Sequence, residues 1–502
     1  MKKLSALIGI IIAGVSMSGC GKSYLTINTP NPNAATNATP ELVITNAMTV
    51  SANFQTVNAT PTQYLSGWMG YWAPSGSYAP SSTDVASYYQ TNNFANGLWI
   101  AYYRNLEDYY YVETTAKKLG EPYYVAMAKV MKSLLFGQLV DMFNNVPYSQ
   151  AFQGTLVIQP KYDSGQVIYE DLSNQLDSAV TLMQSPAAVA SLNTDIMFYG
   201  DNASWIAFAN TLKLRLLMRQ TQMPGRTAYI QGEIAKILAN GGGFLSVDAM
   251  VNPGTVSTPG YANNAGQENP FWGFFVTLTG NFTSGGAADY WRASQYEINT
   301  LQAYNDPRLP LIDSALSNGT FVGNVLGSQA NIPGQGTSTP GPGLLKSPSQ
   351  SAMILSAAES NFLQAEAIIR GYLTGDAQAA YEAGVTASFT LLGAPGVSTY
   401  LTQNNANTNW ALASGTQAQI DLIIRQKWIS EDGFLPMEAY ADYRRLHLPA
   451  DIPISISPYR NPPTAQVPVR FLYPTNEYNT NAANVNGQGT IDPYNNKVFW
   501  NQ

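Results

Sequence analysis

Apolar residues recur at helical spacing through much of this chain, and this periodicity predicts most of its regular structure. One set follows Pro122 and consists of Met127, Val130, Met131, Leu134 and Leu135. A second set is Trp205, Phe208, Ala209, Leu212 and Leu216, and a third, before Gly371, is Ala358, Phe362, Ala365 and Ile369. The spacing within each set places its residues on one face of an α-helix. Proline favours the first turn of a helix and glycine the position after its last turn, so Pro122 predicts a start and Gly371 an end.

Other segments show the same period, and they are separated by long irregular stretches. Further helical windows lie near residues 42–57, 94–119, 164–183, 226–239, 292–304, 376–391 and 417–430. Gly, Pro, Ser and Asn dominate from about 240 to 290, from 316 to 350 and beyond 448. No alternation of strands and helices of the βαβ kind is visible in the pattern. We therefore predict a mainly α protein with long loops, and we expect its binding residues on those loops.

The first 40 residues differ in character from the rest. Two lysines precede a short apolar run, Leu4 to Val15, which is typical of a signal peptide. The run is followed by Met17-Ser18-Gly19-Cys20, which has the form of a bacterial lipobox with Cys20 as the lipid acceptor. The alternative is a core cysteine and a signal peptide that is cut elsewhere. We predict a removed signal peptide at 1–19, a lipidated flexible tether at 20–40 and a single domain at 41–502.

Composition narrows the class of partner. Charged residues make up 11% of the chain and the formal net charge is −7, which argues against binding to nucleic acid or to an anionic bilayer. The 31 tyrosines and 9 tryptophans supply rings with an apolar face and a polar edge. Such rings stack on the C–H faces of sugars, while Asn, Gln, Arg and Asp bind the hydroxyl groups. This composition suits a neutral polyol ligand.

Residue types that carry out catalysis are scarce. The chain has one histidine, His447, and one cysteine, Cys20, so zinc sites built from these residue types are excluded by count. His447 follows Tyr443-Arg444-Arg445 and precedes Leu448-Pro449, which predicts a helix end. No short motif marks a carboxylate pair, although two of the 32 acids could form one, and glycosidase chemistry stays open as an alternative. We predict that the protein is not an enzyme and uses no cofactor.

Two charged motifs are predicted to serve the fold rather than a site. Glu366 lies on the apolar face of its helical window, and a buried carboxylate needs a cationic or hydrogen-bonding partner. Arg425 and Lys427 are the expected candidates for that partner. Asp306-Pro307-Arg308 predicts a turn, because proline fixes φ and aspartate bonds nearby backbone.

Aromatic residues concentrate in three segments without a helical or strand period. These segments are GWMGYWAPSGSYAP (67–80), NPFWGFF (269–275) and DYWRASQ (289–295). Their rings could contact a ligand, or they could pack into the core, and both explanations apply to each segment. Trp68 is expected to pack into the core. Trp205, Trp428 and at least one of Tyr109, Tyr110 and Tyr111 are also expected in the core. The candidate ligand-binding residues are Tyr71, Trp72, Tyr78, Asn269, Phe271, Trp272, Trp291 and Arg292.

Eight sequence blocks follow the lipobox along the chain. They are LVDMFNNVPYSQAF (139–152), PKYDSGQVIYEDLSNQLDSAV (160–180), MFYGDNASWIAFANTLKLRLLMR (197–219), NDPRLP (305–310), ESNFLQAEAIIRG (359–371), RQKWISEDGFLPMEAYADYRR (425–445), VPVRFLYPTNEYNTN (467–481) and KVFW (497–500). Together with the lipobox, these blocks resemble the SusD/RagB family of outer-membrane nutrient-binding lipoproteins of Bacteroidota. One block alone would carry little weight. The whole set, in family order over nearly the entire chain, is specific.

The resemblance implies a mostly helical fold in which four tetratricopeptide-like helix pairs support irregular ligand-binding loops. It also implies a lipid-anchored protein on the outer face of the outer membrane, acting as a lid on a SusC-like TonB-dependent transporter. Members capture nutrients, most often oligosaccharides, and are neither enzymes nor users of a redox or metal cofactor. Binding residues vary within the family, so no site position is carried over. Gly21-Lys22-Ser23 lacks the acidic cluster that is often linked to surface export.

Three functions follow as hypotheses. The first is capture of an oligosaccharide or polysaccharide and its delivery to the transporter. The second is capture of peptides by the same machinery, because a tyrosine-rich, weakly charged surface also suits peptides. The third is a carboxylate-based glycosidase, which requires two facing acids about 5–10 Å apart in an open cleft.

Overall fold

Helices form most of the regular structure, as the periodicity predicts. The computed structural model describes residues 38–55, 60–189, 194–254 and 260–501. The helices among these residues are α1 (Pro40–Gln55), α2 (Thr60–Trp68), α3 (Asn96–Leu119), α4 (Pro122–Phe143), α5 (Gly165–Met183), α6 (Asn202–Arg219), α7 (Thr227–Asn240), α8 (Pro270–Phe275), α9 (Ala287–Tyr290), α10 (Gln295–Ala303), α11 (Leu309–Ile312), α12 (Ala357–Ile369), α13 (Ala377–Leu392), α14 (Val397–Thr402), α15 (Thr416–Glu431), α16 (Pro436–Leu446), α17 (Thr475–Thr480) and α18 (Ala482–Asn486). The predicted mainly α class is confirmed. The predicted signal peptide, Cys20 and the tether up to residue 37 lie outside the described residues.

Helix ends follow local chemistry. Pro122 is the first residue of α4, as predicted. The side chains of Ser164 and Ser356 accept backbone N–H groups at the starts of α5 and α12, which satisfies donors that a helix leaves unpaired. Gly371 follows the end of α12 with φ +74, a left-handed conformation that favours glycine. His447 caps the end of α16, and its N–H donates to the carbonyl of Tyr443 at 2.8 Å. The predicted helix-end positions of Gly371 and His447 are confirmed.

Helices that follow one another in the chain pack against one another. One run consists of α3, α4, α5 and α6, and a second group places α12 against α13 and α15. Almost every residue of α4 is buried, so this helix runs through the interior of the first group. Trp68, Trp205, Trp428 and Tyr109 all lie in the core, as predicted. Residues from Pro40 onward form one compact unit by their internal contacts.

A network of buried ion pairs joins α6, α12, α15 and α16. Glu438 on α16 lies between Arg215 and Arg219 of α6. Arg215 also forms a two-point pair with Glu359 of α12, at 2.7 Å for both contacts. The network therefore ties the two helix groups together through charge as well as through apolar packing.

Glu366 belongs to this network, but its partner differs from the prediction. Its carboxylate pairs with Arg445 of α16, with the Nη2–Oε2 distance at 2.8 Å, and with Arg370, the residue that follows the end of α12, at 2.7 Å. Arg425 instead pairs with Asp451, and Lys427 pairs with Asp442 at 2.8 Å. The expectation of Arg425 or Lys427 is wrong, because periodicity fixes the face that Glu366 occupies and leaves open which helix packs against that face.

The motif at 306–308 forms the predicted turn and is also buried. The carboxylate of Asp306 accepts the backbone N–H of Arg308 at 2.9 Å, which is the expected local bond. Arg308 is fully buried and pairs with the same carboxylate at 2.7 Å. Its guanidinium also donates to Gln426 of α15 and to Ser388 of α13. Asp306 and Arg308 thus connect the turn to two scaffold helices.

Three short antiparallel ribbons complete the regular structure of the described residues. Their strands are β1 (Trp72–Pro74) with β5 (Trp291–Ala293), β2 (Val146–Pro147) with β3 (Tyr162–Asp163), and β4 (Ala249–Val251) with β6 (Ala352–Leu355). The β1–β5 ribbon joins two of the aromatic segments that are distant in the sequence. Among the described helices, none has both the length and the apolar character required to cross a bilayer.

Candidate functional site

The β1–β5 ribbon places two tyrosines side by side at one of its ends. Trp72 pairs with Ala293 and Pro74 with Trp291, so the end of β1 lies beside the start of β5. The N–H of Ser75 donates to the carbonyl of Tyr290 at 2.7 Å and extends this pairing. The rings of Tyr78 and Tyr290 meet edge to face with centroids 5.0 Å apart, and Tyr78 is 37% exposed. We call these two residues the tyrosine pair.

The turn after β1 is fixed by close contact with a neighbouring loop. The N–H of Gly76 donates to the carbonyl of Ile332 at 2.8 Å. A Cβ atom at Gly76 would lie 1.8 Å from the backbone oxygen of Asn331, so only glycine fits here. The side chain of Asn331 also donates to the carbonyl of Pro74 at 3.0 Å. The position of Tyr78 is therefore set by the loop at 331–332 as well as by the ribbon.

A cavity of about 240 Å³, which we call the ribbon cavity, is lined by Asp289 and Arg292, the residues on either side of Tyr290-Trp291 in the chain. Its lining combines one apolar ring, hydroxyl and amide side chains, one carboxylate and one guanidinium. These residues include Phe282, Asp289, Arg292, Gln335, Thr337 and Thr339. Phe282 is 45% exposed and offers an open ring face. Uncharged hydrogen-bonding groups next to aromatic rings suit a sugar, whose hydroxyls both donate and accept.

Arg292 forms the inner wall of the ribbon cavity. Its guanidinium donates to the carbonyl of Ala288 at 2.7 Å and to the hydroxyl of Thr337 at 2.9 Å, and it also contacts the carbonyl of Thr337. Burial lowers the pKa of Arg292 to about 10, because its closest partners are neutral and the acids Asp289 and Asp313 offset burial only in part. Arg292 stays charged near neutral pH and clamps two walls of the cavity together.

A larger cavity, of about 500 Å³, is also lined by residues of the segment 282–289. We call it the α8 cavity because Asn269, Pro270, Gly273 and Phe274 line it. Both cavities are lined by Thr283, so this segment forms a shared wall. The irregular region between α8 and β5 thus contributes to two concave surfaces, and Thr49 and Asn53 of α1 complete the lining of the α8 cavity.

Four of the predicted ligand-binding residues are in the core, which corrects the prediction of an exposed platform. Tyr71, Trp72, Phe271 and Trp291 are all buried, at 4% exposure or less. Tyr71 stacks on Trp428 of α15 at 5.0 Å, and Trp72 packs against Phe275 of α8 at 5.4 Å. Successive residues of an extended chain point to opposite sides, and both sides of β1 are covered here. Packing of loop rings into the core is the correct explanation for these four.

Of the other four candidates, Asn269 lines the α8 cavity and Arg292 the ribbon cavity, whereas Trp272 and Tyr78 line neither. Asn269 is buried and caps α8, accepting the N–H groups of Phe271 and Trp272, so its carboxamide oxygen already has protein partners. Trp272 is half-buried, and its indole N–H has no hydrogen-bond partner among the described residues. Arg292 lines the ribbon cavity. Tyr78 is the one of the eight that presents a substantially exposed ring.

Sequence reasoning missed several residues that the cavities bring together. Tyr290 lies in the third aromatic segment but was not selected, although pairing with β1 places it beside Tyr78. Phe282 lies alone in a stretch of Gly, Asn, Thr and Ser, without an aromatic neighbour in sequence. Gln335 and Thr337 come from a loop that pattern alone could not place beside β5. A single aromatic residue within a polar loop is the signal that could have identified Phe282.

The acidic residues at the two cavities do not form a pair. The described lining of the ribbon cavity contains one carboxylate, Asp289, and that of the α8 cavity contains one, Glu268. A glycosidase needs two acids that face the same bond. No group of three or more metal-ligating side chains with suitable geometry occurs in the described part of the chain.

Glu297, Asp313 and Asp432 form a separate acidic group in the interior. All three are buried, and oxygens of each lack a hydrogen-bond partner among the described residues. Burial and the neighbouring acids raise the pKa of Glu297 well above its ordinary value, and burial raises the pKa of Asp432 to about 7. The group therefore holds protons at acidic pH, and it lines neither cavity.

Comparison with known proteins places this geometry in a family. Residues 32–474 match a SusD-like family model described as "Starch-binding associating with outer membrane". A SusD homologue from Bacteroides uniformis superimposes with a TM-score of 0.76 at 23% identity, over 92% of this chain and 99% of that one. A chitin-binding SusD homologue from Flavobacterium johnsoniae gives a TM-score of 0.75 at 23% identity, over 91% and 98%.

A SusD-like protein from Bacteroides thetaiotaomicron is similar as well, with a TM-score of 0.74 at 22% identity, over 91% of this chain and 98% of that one. No curated protein sequence gives a significant match. At these identities the structures establish a shared fold, whereas the family match extends over most of the sequence. On the strength of that match, this chain belongs to the SusD-like family.

Proposed function

We propose that this protein is a cell-surface lipoprotein of the outer membrane that binds oligosaccharides or polysaccharides and passes them to a SusC-like TonB-dependent transporter. In this proposal Cys20 carries the lipid, and tetratricopeptide-like helix pairs form the rigid support. The loops around the β1–β5 ribbon hold the glycan. The protein contributes binding and release but no bond cleavage.

The observation that carries the glycan proposal is the polar lining of the ribbon cavity with the exposed ring of Phe282 in its wall, joined through Asp289 to the tyrosine pair. Tyr78 and Phe282 are 37% and 45% exposed, so each offers a ring to a sugar face. Gln335, Thr337, Thr339 and the guanidinium of Arg292 lie within the adjacent cavity and match sugar hydroxyls. The family match and the chitin-binding relative support the same class of ligand.

Calorimetry with a panel of malto-, cello- and chito-oligosaccharides tests the proposal. Tyr290→Ala removes half of the tyrosine pair, and we expect about a tenfold loss of affinity, which corresponds to about 1.4 kcal/mol. Tyr111→Ala, which changes a tyrosine on the exposed side of α3, is the matched control and should bind as the wild type does. Equal affinity of Tyr290→Ala and wild type would remove the ribbon cavity as the glycan site.

Two further measurements separate this function from its alternatives. A peptide mixture in the same calorimeter tests for peptide capture, and binding of peptides without binding of any glycan would replace our proposal. Incubation of the purified protein with each bound glycan should release no new reducing ends. Appearance of shorter products would favour the glycosidase.

Anchoring is tested in the native host. We expect Cys20→Ala to move the protein from the membrane fraction to the soluble fraction, whereas Ser23→Ala should stay with the membrane. Copurification of the anchored protein with a TonB-dependent barrel from detergent extracts tests the partner. Recovery of the Cys20→Ala variant in the membrane fraction would contradict lipid attachment at this residue.

A further inference from the structure

The α8 cavity has features of a binding site in its own right. Its volume of about 500 Å³ is within the range of small-molecule pockets. Gly266 and Gly273 on its lining are exposed, so the cavity opens to solvent. The segment 282–289 contributes to the lining of both this cavity and the ribbon cavity, so a glycan that extends along this segment would meet both.

One side chain that lines this cavity has a hydroxyl group without a hydrogen-bond partner among the described residues. Tyr261 is 7% exposed, and its hydroxyl has no hydrogen-bond partner among the described residues. Its backbone is held in place, because its N–H donates to the side-chain oxygen of Asn252 at 2.9 Å. Burial raises the pKa of Tyr261, so the hydroxyl stays protonated and can donate. The hydroxyl is closed off from solvent here, so a ligand reaches it only when the Tyr261 ring turns toward the cavity. A buried donor without an acceptor is costly, and the carbonyl oxygen of a ligand would then supply the acceptor.

The rest of the described lining determines what else the ligand carries. Glu268 supplies a strong acceptor, and no lysine, arginine or histidine occurs among the described residues that line the cavity. A lone carboxylate disfavours an anionic ligand and favours one with an N–H or O–H donor. Pro270 and Phe274 add an apolar wall that a methyl group can cover. The cavity therefore combines a donor, an acceptor and an apolar surface.

We propose that the α8 cavity binds the acetamido group of an N-acetylated sugar. The hydroxyl of Tyr261 donates to the acetyl carbonyl, Glu268 accepts the amide N–H, and the methyl group packs on Phe274. This inference rests on the proposed function and names the class of glycan that the loop surface selects.

An unmodified hexose fits this lining less well. Each of its hydroxyls is both a donor and an acceptor, so it can bond to Glu268, but it offers no methyl group to the wall formed by Pro270 and Phe274. Contact with that wall removes apolar surface from water, which adds to the affinity of the acetylated sugar.

Two disaccharides test this directly, because N,N′-diacetylchitobiose differs from cellobiose in carrying acetamido groups in place of two hydroxyls. Calorimetry on the mature chain should show at least tenfold tighter binding of the acetylated sugar. Tyr261→Phe, which deletes only the hydroxyl, should weaken binding of N,N′-diacetylchitobiose at least fivefold and leave cellobiose unchanged. Tyr229→Phe, on α7 and outside both cavities, is the matched control and should change neither affinity.

The stability of Tyr261→Phe separates a ligand contact from a structural role. Removing an unpaired buried hydroxyl should leave Tm unchanged or raise it, whereas loss of a structural hydrogen bond would lower it. A second variant tests the cavity itself. A Cβ atom at Gly273 would meet only the Cβ of Glu268, at the ordinary contact distance of 3.6 Å. Gly273→Leu should therefore fill the cavity without moving the backbone and abolish the preference for the acetylated sugar.

The outcomes distinguish this inference from the proposed function. Equal affinity for the two disaccharides, or full binding of N,N′-diacetylchitobiose by both Tyr261→Phe and Gly273→Leu, overturns the acetamido site. If Tyr290→Ala still weakens binding of other glycans in that case, the proposed function stands alone. Absence of binding to every glycan in the panel overturns both.

Discussion

Glu438→Gln is the change that tests most directly whether the buried ion network stabilises the scaffold. The Glu438 side chain is 2% exposed and lies 3.4 Å from Nε of Arg215 while also pairing with Arg219. Arg219 has two further carboxylates at a longer distance of 3.6 Å, from Asp141 and Asp442. Glutamine keeps the volume of glutamate and removes its charge. The variant therefore leaves two buried guanidinium groups with less compensation in an otherwise unchanged structure.

The expected cost follows from this geometry. Removing one partner of a buried ion pair costs about 3–5 kcal/mol of folding stability. Glutamine retains one oxygen that can accept a hydrogen bond, so we expect a loss at the lower end, about 3 kcal/mol. Unfolding entropy is about 2.1 cal/mol/K per residue, which sums to roughly 1 kcal/mol/K over Pro40–Gln502. Glu438→Gln should therefore lower Tm by about 3 °C at pH 7.

The pH dependence of this loss identifies its electrostatic origin. Burial alone would raise the pKa of Glu438, but Arg215, Arg219 and Lys427 outweigh it and hold the pKa at about 2. The unfolded chain binds this proton at higher pH than the folded chain does, so the contribution is complete above the unfolded pKa and is lost as pH falls toward 2. The difference in Tm between wild type and Glu438→Gln should accordingly shrink between pH 5 and pH 3.

Scanning calorimetry at pH 7, 5 and 3 measures this difference in Tm. Because the other acids titrate in both proteins, subtracting the Tm of the variant from that of wild type cancels their effect. Glu107→Gln, on the exposed side of α3, is the matched control and should change Tm by less than about 1 °C. A variant as stable as wild type at pH 7 would refute the reasoning. A loss that stays constant down to pH 3 would show that packing, and not charge, is responsible.

Three further changes test other parts of the structure. Burial raises the pKa values of Glu297 and Asp432, and neighbouring acids raise that of Glu297 further, so the folded state keeps protons that the unfolded state has released. The stability of the fold therefore falls as pH rises from the ordinary pKa of these acids, about 4, through about 7, the pKa of Asp432 in the fold. Glu297→Gln should therefore raise Tm above that of wild type at pH 8 by calorimetry, and a lower Tm would contradict this. Gly76→Ala would bring its Cβ within 1.8 Å of a backbone oxygen and should weaken glycan binding severalfold, whereas Gly97→Ala, with nothing within 4 Å, should not. Arg292→Lys replaces the planar guanidinium, which bonds to both Ala288 and Thr337, with a single ammonium group. This variant should lower glycan affinity and have a smaller effect on Tm. Unchanged affinity would refute the role of Arg292 in holding the two cavity walls together.

The helical scaffold could be predicted because its signal is local. The window near 164–183 becomes α5 at Gly165–Met183, and that near 417–430 becomes α15 at Thr416–Glu431. Periodicity and caps determine these boundaries within a few residues of sequence. The partner of Glu366 could not be predicted in the same way, because Arg445 reaches it only after α12 and α16 have packed together.

The loops could be located but not interpreted from the sequence. An aromatic-rich segment without helical or strand periodicity can form an exposed binding surface, or it can pack its rings into the core. Which of the two occurs depends on the other segments that cover it. Trp72 is covered by α8, and α8 is itself part of another aromatic segment about 200 residues away. The tyrosine pair depends on the same long-range pairing, since Tyr78 and Tyr290 meet only through the β1–β5 ribbon. The periodicity of the sequence does not predict such contacts between distant segments, and the site depends on them.

The buried rings of these segments explain how irregular loops can present a defined site. From the core outward, Trp72 packs against Trp291 at 6.1 Å, Trp291 against Tyr290 at 4.8 Å, and Tyr290 against Tyr78 at 5.0 Å. Aromatic rings cover a large area with few rotatable bonds, so a chain of them fixes its outermost member at small entropic cost. Tyr78 is therefore held in position before a ligand arrives, although it lies on a loop. Truncating a buried ring such as Trp291 should for this reason weaken glycan binding without any contact between that ring and the glycan.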